Sequence, residues 1–229
     1  MSDSLHTFRH SPFASAPRVF NLLRQGLCVL ALLAAGTCAI AEQEAQPEFQ
    51  EATAIVAELH GALVHIMQNA PSLGYMGRYQ QMDPIIRQRF DTPLIVKVTL
   101  SRHWNGMNDA EKTDFISLFH QLSVATYAAR FDSFNGQEFV QTGREQLQAG
   151  RVLIKTELRR TDETPVKLDY LIHQNQQGEW RIISVIANGV NDLSLKRAEY
   201  AAVIKDRGFP VLLDDIRRKI RDMETGATP

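Results

Sequence analysis

The chain is 229 residues long, and its 25 basic and 26 acidic side chains give a formal net charge of −1. Nucleic acid is recognised through a concentrated basic excess, so this charge balance argues against a nucleic-acid partner. Hydrophobic residues make up 44% of the sequence, which is enough for a sizeable packed core.

The first residues have the pattern of a secretion signal. Arg18 and Arg24 precede an apolar run from Leu27 to Ala35, and Ala39-Ile40-Ala41 offers small residues where a signal peptidase cuts. The strongly apolar part is shorter than the roughly 20 residues that a bilayer core requires. We therefore expect residues 1–41 to be a cleaved signal peptide, with an uncleaved anchor as the alternative.

Both cysteines, Cys28 and Cys38, lie inside this leader. The exported part, residues 42–229, is expected to form a single domain without a thiol, so packing must supply its stability although the oxidising compartment permits disulfides. A lipoprotein anchored through Cys38 is a further alternative. It is disfavoured because Thr37 is bulkier than the residue that usually precedes a lipidated cysteine.

The N-terminal half has the apolar period of helices. Apolar residues recur at three and four positions over residues 49–67, which predicts a helix that ends before Pro71. A turn-rich linker is predicted for residues 70–78, followed by a short helix near residues 83–90. A third helix is predicted from Pro93, a favoured first helical residue, to about Arg102.

A longer helix is predicted to begin after Asn108, because Asn108-Asp109-Ala110-Glu111 has the form of a capping box. One of its faces carries Phe115 and Phe119, and an adjacent face carries Tyr127 and Phe131. A helix that is apolar over so much of its circumference must be covered on more than one side.

After Gly136 the apolar period changes from about 3.6 residues to 2, which is typical of β-strands. Alternation predicts antiparallel strands over residues 152–159 and 166–173, and a turn then leads into a third strand over residues 180–187. Residues 137–142 are predicted to add an edge strand.

The chain is predicted to end in two helices, over residues 193–205 and 209–223. Helices first, an antiparallel meander next and helices last describe an α+β fold. We therefore expect a twisted antiparallel sheet of about four strands, cupped by N-terminal and C-terminal helices that enclose an apolar pocket.

The sequence contains no recognisable nucleotide-binding, serine-hydrolase or zinc-protease motif. Asp169, Tyr170 and His173 share a predicted strand, and such groups could transfer protons in a pocket, although Asp169 and Tyr170 point to opposite faces. A small enzyme that acts on a hydrophobic substrate is therefore one alternative. His60 and His65 are five residues apart, which makes a shared metal improbable, so we expect neither metal nor cofactor.

Several short motifs follow one another along the chain: Phe90-Asp91-Thr92-Pro93, Asn108-Asp109-Ala110-Glu111-Lys112, Phe134-Asn135-Gly136-Gln137-Glu138-Phe139 and Pro165-Val166-Lys167-Leu168-Asp169-Tyr170. Their order and spacing resemble the MlaC-like, or toluene-tolerance, family of periplasmic lipid-binding proteins, over about residues 49–220. Residues 73–79 and 127–134 are most similar to the hopanoid-biosynthesis-associated branch called HpnM. Two positions depart from the family pattern, because Ser184 stands where many relatives have Asp and Asn191-Asp192 replaces a serine.

The resemblance implies a soluble periplasmic carrier, not an enzyme, that takes a hopanoid or a phospholipid between the inner and outer membranes. It also implies two partners, an inner-membrane transporter of the ABC type and an outer-membrane acceptor complex. A pocketless adaptor that only recruits these membrane complexes is a third possibility.

The expected cavity has to offset the large hydrophobic free-energy cost of carrying a lipid through water. Each buried methylene contributes about 0.8 kcal/mol, so removing a lipid with about 30 of them from water is worth roughly 20 kcal/mol. A charge in the cavity, as in Phe119→Asp, is expected to abolish lipid carriage. The predicted lipid-binding wall comprises Leu94, Val98, Phe115, Phe119, Leu122, Tyr127, Val152, Ile154, Leu168, Tyr170 and Ile182.

Overall fold

The computed structural model describes residues 47–148 and 150–226, with side chains from residue 50 onwards. The predicted signal peptide and the expected start of the exported part near Glu42 lie outside the described residues. Within them the helices are α1 (Pro47–Gln68), α2 (Ala70–Arg89), α3 (Thr92–Leu100), α4 (Asp109–Arg130), α5 (Asp192–Arg207) and α6 (Phe209–Thr225). The strands are β1 (Glu138–Gln148), β2 (Arg151–Arg159), β3 (Val166–Gln174), β4 (Trp180–Ala187) and β5 (Val190–Asn191).

The strands form one antiparallel sheet in the order β1-β2-β3-β4-β5, so each strand pairs with its neighbour in the sequence. The predicted α+β class is confirmed. The two-residue strand β5 was not predicted, and β1 continues to Gln148, beyond the predicted end at Thr142. The second half of β1 is exposed on both faces, so it lacks the apolar alternation by which a half-buried strand is recognised.

The prediction of a turn-rich linker at residues 70–78 was wrong, because α2 begins at Ala70. Pro71 lies in its first turn, where a proline costs no hydrogen bond. The helical backbone is interrupted at Gly74, whose φ of 59° and ψ of −173° require a residue without a side chain. Buried Arg78 then fastens α2 to α4, because its Nε donates to the Ala128 carbonyl at 2.8 Å.

The apolar residues form two clusters. The first cluster lies between α1, α2 and one face of the sheet, and Leu59, Ile154 and Tyr170 are fully buried in it. The second cluster lies between α3, α4, α5 and α6, and its centre includes Phe115. Phe90, at the end of α2, packs against both clusters.

The predicted capping box at the start of α4 is confirmed. The Asn108 side chain accepts from the Glu111 N–H at 2.9 Å, and the Glu111 carboxylate accepts from the Asn108 N–H at 2.9 Å. These two bonds satisfy donors that a helix start would otherwise leave unpaired. No helix in the described ranges combines the length and apolarity that a membrane span requires.

Candidate functional site

The residues predicted to line a cavity divide between the two apolar clusters. Those in or against the first cluster are Tyr127, Val152, Ile154, Leu168, Tyr170 and Ile182. Those in the second cluster are Phe115, Phe119 and Leu122, while Leu94 and Val98 are half-buried on α3. The division arises because α4 turns one apolar face toward each cluster, and sequence periodicity does not say which face meets the sheet.

A row of aromatic rings runs through the edge of the first cluster. Successive ring centroids lie 5.9, 5.9, 6.4, 4.0 and 5.3 Å apart, which are distances typical of stacked or edge-to-face pairs. We call this row the aromatic chain, and its members in order are Phe90, Tyr127, Phe131, Phe139, His60 and Tyr170. It connects helices α1 and α4 with strands β1 and β3.

The most buried end of the aromatic chain is a hydrogen bond between α1 and β3. His60 Nε2 lies 3.1 Å from the Tyr170 hydroxyl, and the Tyr170 residue is only 1% exposed. Burial lowers the pKa of His60 to about 4 and raises the pKa of Tyr170. Both groups are therefore uncharged at neutral pH, and the pair adds a polar contact without adding a charge.

A surface depression of about 400 Å³ lies where α1 meets the start of β1. We call it the α1–β1 cleft, and its lining is His60, Gly61, Val64, His65, Gln68, Gln137, Glu138 and Phe139. His60, Val64 and Gln68 are four residues apart and so share one face of α1. Because His60 and Phe139 also belong to the aromatic chain, the cleft meets the edge of the first cluster directly.

Two further depressions differ from this cleft in charge. The hairpin cleft, of about 630 Å³, lies between the α2–α3 junction and the β3–β4 turn, and Arg87 and Arg181 line it. The α4–α6 groove, of about 420 Å³, is lined by Arg217 and Arg221 together with Asp114.

The three residues considered for proton transfer do not converge. His173 Nε2 lies 2.7 Å from Asp91 Oδ2, and the other oxygen of Asp91 accepts from the Leu94 N–H at 3.0 Å. Asp91 thus caps α3 and ties it to β3. Tyr170 bonds His60 instead, and Asp169 is the adjacent residue on the opposite face of the strand.

A polar group that sequence analysis missed joins α2 to α4. His120 Nε2 lies 2.7 Å from Asp83 Oδ1, and Arg87 also contacts both side chains. Burial alone would raise the pKa of Asp83, but the hydrogen bonds from His120 and Arg87 outweigh it and lower that pKa. No local sequence pattern predicts this group, because 37 residues separate Asp83 from His120. Within the described residues, no three side chains suited to metal binding are grouped together.

The two departures from the family pattern are partners in the structure. The Ser184 hydroxyl lies 3.1 Å from Asn191 Oδ1 and 3.2 Å from Asp192 Oδ1. The serine hydroxyl thus faces one amide oxygen and one carboxylate oxygen. In this chain the Ser184 hydroxyl thus links β4 to the start of α5.

Two comparisons with known proteins bear on this chain. A family model described as MlaC protein matches residues 58–218, from the middle of α1 into α6. The fold is similar to that of a phospholipid-binding protein from Ralstonia solanacearum solved in complex with a phospholipid, with a TM-score of 0.66 and 19% sequence identity. The alignment covers 76% of this chain and 98% of the other. At that identity the likeness establishes a shared fold.

Proposed function

Because this chain belongs to the MlaC protein family, we propose that it is a lipid-binding carrier and not an enzyme. The lipid would lie between α1 and the sheet, among the side chains of the first cluster. The observation that carries this proposal is the aromatic chain, which leads from the α1–β1 cleft to the buried Tyr170. The similar fold of a phospholipid-binding protein supports it.

The chemistry of this space suits an apolar ligand. Val152, Ile154 and Ile182 contribute fully buried aliphatic side chains to the first cluster, which the lipid would enter. The polar pair His60 and Tyr170 is uncharged at neutral pH, so an apolar body would meet no buried charge. Burial of methylenes at about 0.8 kcal/mol each would then supply the affinity.

A lipid of full size requires the interior to widen. Four members of the aromatic chain, Phe90, Tyr127, Phe131 and Phe139, are only half-buried. Rings at the edge of a cluster keep fewer neighbours than rings at its centre, so displacing them costs less packing energy. We propose that these rings move aside and then cover the bound lipid.

The set of residues proposed to contact the lipid is therefore smaller than the set predicted from the sequence. Its proposed members are the first-cluster residues Tyr127, Val152, Ile154, Leu168, Tyr170 and Ile182. Phe115, Phe119 and Leu122 are proposed to support the second cluster instead. A role for Leu94 and Val98 in lipid binding stays a prediction. Their helix, α3, contributes Leu94 to the hairpin cleft and no residue to the α1–β1 cleft.

We propose a hopanoid or a phospholipid as the cargo. The resemblance to the HpnM branch favours a hopanoid, and Tyr127 and Phe131, from a segment that carries this resemblance, belong to the aromatic chain. Flat rings offer broad faces to a rigid polycyclic body. The carrier would act in the periplasm after loss of residues 1–41, between an inner-membrane transporter and an outer-membrane acceptor.

Mass spectrometry of the protein purified from its native periplasm without detergent tests the proposal. The protein is measured intact and again after organic extraction. A stoichiometric hopanoid or phospholipid is the expected result, and its identity chooses between the two cargoes. A lipid-free protein that also takes up neither lipid from vesicles would contradict carriage and favour the adaptor or the enzyme.

A further inference from the structure

We infer that the α1–β1 cleft is a headgroup site that selects a lipid with an uncharged, hydroxylated headgroup. This inference rests on the proposed lipid carriage and concerns the part of the ligand that stays near water. Of the two proposed cargoes it favours the hopanoid over the phospholipid. It follows from the position of the cleft, from its charge and from its hydrogen-bonding groups.

The position of the cleft relative to the first cluster fits an amphiphile. His60 and Phe139 stack at 4.0 Å between ring centroids, and both line the cleft. Behind them, His60 contacts Tyr170, whose side chain is among the largest that are fully buried. An apolar body inserted along this route leaves its polar end in the cleft.

The charge of the cleft disfavours an anionic headgroup. None of the described residues that line it is lysine or arginine, and Glu138 contributes a carboxylate. Arg159, the cross-strand neighbour of Glu138, is already held by Glu157 at 3.0 Å. Phosphate groups are recognised through arginine or lysine, so a phosphate here would lose water without gaining a cationic partner.

The other two depressions differ from the α1–β1 cleft in their charged residues. The hairpin cleft and the α4–α6 groove are each lined by two arginines. Only the α1–β1 cleft, of these three, combines contact with the aromatic chain at His60 and Phe139 with a lining that holds no lysine or arginine. The geometry and the charge therefore point to the same kind of headgroup.

The available polar groups suit hydroxyls. Gln68 makes no side-chain hydrogen bond within the described residues, so its amide can both donate and accept. His65 makes only a long contact of 3.4 Å from its Nδ1 to the Asn69 amide. Gln137 is occupied, because its amide donates to the Ser133 carbonyl at 3.3 Å. Hydroxyl groups, which donate and accept, can use the Gln68 amide and the His65 imidazole at once.

The size of the cleft admits a headgroup of several hydroxyls. A volume of about 400 Å³ lies within the roughly 300–1,000 Å³ range of small-molecule sites. A Cβ built at Gly61 would have no heavy atom within 4 Å, so the space beside this residue is open. A glycine in the middle of a helix costs about 1 kcal/mol relative to alanine, so its presence beside His60 is consistent with space kept for a ligand.

Two lipid pairs with matched bodies test the inference. Phosphatidylcholine vesicles carry equal amounts of dioleoyl glucosyl-diacylglycerol and dioleoyl phosphatidylglycerol, or of cholesteryl glucoside and cholesteryl sulfate. The lipids that the protein removes are quantified by mass spectrometry. We expect at least one neutral glucolipid to be preferred over its anionic partner by about tenfold, which corresponds to roughly 1.4 kcal/mol.

A charge-adding variant locates the site. Gln68→Arg places a cation in the cleft at the end of α1, where a positive charge is also favourable for the helix. We expect it to abolish or reverse the preference. The matched control is Gln121→Arg, because Gln121 is also an exposed helical glutamine but lines the α4–α6 groove; it should keep the wild-type preference.

Each other outcome overturns the inference. Equal or better removal of the anionic lipids by the wild type would show that the cleft does not select neutral headgroups. Equal effects of Gln68→Arg and Gln121→Arg would remove the headgroup from this cleft. In both cases lipid removal itself still supports the carrier, whereas removal of no lipid from any vesicle contradicts the carrier and the headgroup site together.

Discussion

The Nε2 atom of His60, on helix α1, lies 3.1 Å from the hydroxyl oxygen of Tyr170, on strand β3. The same imidazole stacks on Phe139 of β1, so one side chain of α1 contacts two strands of the sheet. A buried hydroxyl that loses its partner costs more than the bond contributes, which makes the contact sensitive to substitution. It also marks the point where the α1–β1 cleft meets the buried cluster.

Tyr170→Phe should lower the free energy of unfolding by about 1 kcal/mol, because it removes one buried hydrogen bond and leaves the ring in place. Urea denaturation measures the change. Tyr127→Phe is the matched control, since the Tyr127 hydroxyl makes no side-chain hydrogen bond within the described residues, and its loss should cost less than about 0.5 kcal/mol. Equal losses in the two variants would contradict a specific role for the His60 contact.

Stability should fall as the pH is lowered from about 6.5 to about 4, and His60 should account for much of the fall. Burial depresses the pKa of His60 in the folded protein to about 4, against 6.5 in an unfolded chain. Between these values the unfolded state binds the proton and the folded state does not, so acid favours unfolding. The full effect is about 2–3 kcal/mol.

The measurement is the difference in stability between wild type and His60→Gln, because this difference cancels the contributions of all groups that the two proteins share. Those groups include His173 and His120, which contact Asp91 and Asp83. Glutamine can still hydrogen-bond Tyr170 but carries no titrating proton. The free energies of unfolding of the two proteins, measured at pH 7, 5.5 and 4, should therefore approach each other as the pH falls. Parallel curves for the two proteins would show that His60 is not protonated on unfolding.

Phe119→Asp, expected from the sequence to abolish lipid carriage, should first of all destabilise the helices. Phe119 is 3% exposed in the second cluster, and a carboxylate there would be buried without a partner. Phe119→Leu keeps an apolar side chain at the same place and should leave lipid uptake unchanged. Phe139→Ala removes a ring of the aromatic chain and should lower uptake several-fold.

Uptake of a fluorescent lipid, measured beside the unfolding curve of each variant, separates these effects. The informative pair is Phe119→Leu and Phe139→Ala, because neither introduces a charge. If Phe119→Leu impairs uptake while Phe139→Ala does not, the lipid lies against the second cluster and the proposed wall is misplaced.

Asp169→Asn should leave lipid uptake and stability close to wild type. Asp169 is half-buried on the opposite face of β3 from Tyr170, and no direct hydrogen bond or ion pair of its carboxylate is seen within the described residues. A carrier requires no proton transfer from this group, whereas an enzyme that used it would lose its activity. A turnover assay on a candidate hydrophobic substrate that responds to Asp169→Asn would revive the enzyme alternative.

Local signals account for most of the fold that could be predicted. The capping box at Asn108 marks the start of α4, and the alternation over residues 152–159 matches β2. The prediction failed for α2, because Pro71 and Gly74 resemble linker residues although each occupies a position that a helix tolerates or briefly leaves. Local composition does not distinguish a single break in a helix from a loop.

The candidate site could be predicted only in part, because its contacts join distant segments. His60 and Tyr170 are 110 residues apart. The rotation of α4 decides which of its apolar faces meets the sheet, and tertiary packing sets that rotation. Phe115 and Phe119 were therefore grouped with Tyr170, from which the structure separates them.

Ser184→Asp should destabilise this chain by about 2–4 kcal/mol. The Ser184 residue is 3% exposed, so the new carboxylate would be buried beside Asp192, and two adjacent carboxylates cannot both stay charged cheaply. Adding Asp192→Ser should restore most of the loss, because the new serine hydroxyl can donate to the new carboxylate across the same contact. Asn191 is left unchanged, since its side chain caps α5 through the Ser194 N–H at 3.0 Å.

Thermal unfolding of the two single variants and the double variant measures this exchange as a double-mutant cycle. Ser184→Asn is the control, because it adds similar volume without a charge and should cost less than Ser184→Asp. A favourable coupling of more than about 1 kcal/mol is expected if donor and acceptor have simply changed places in this chain. If the double variant is no more stable than Ser184→Asp alone, positions 184 and 192 are energetically independent and their contact does not link β4 to α5 in the way proposed.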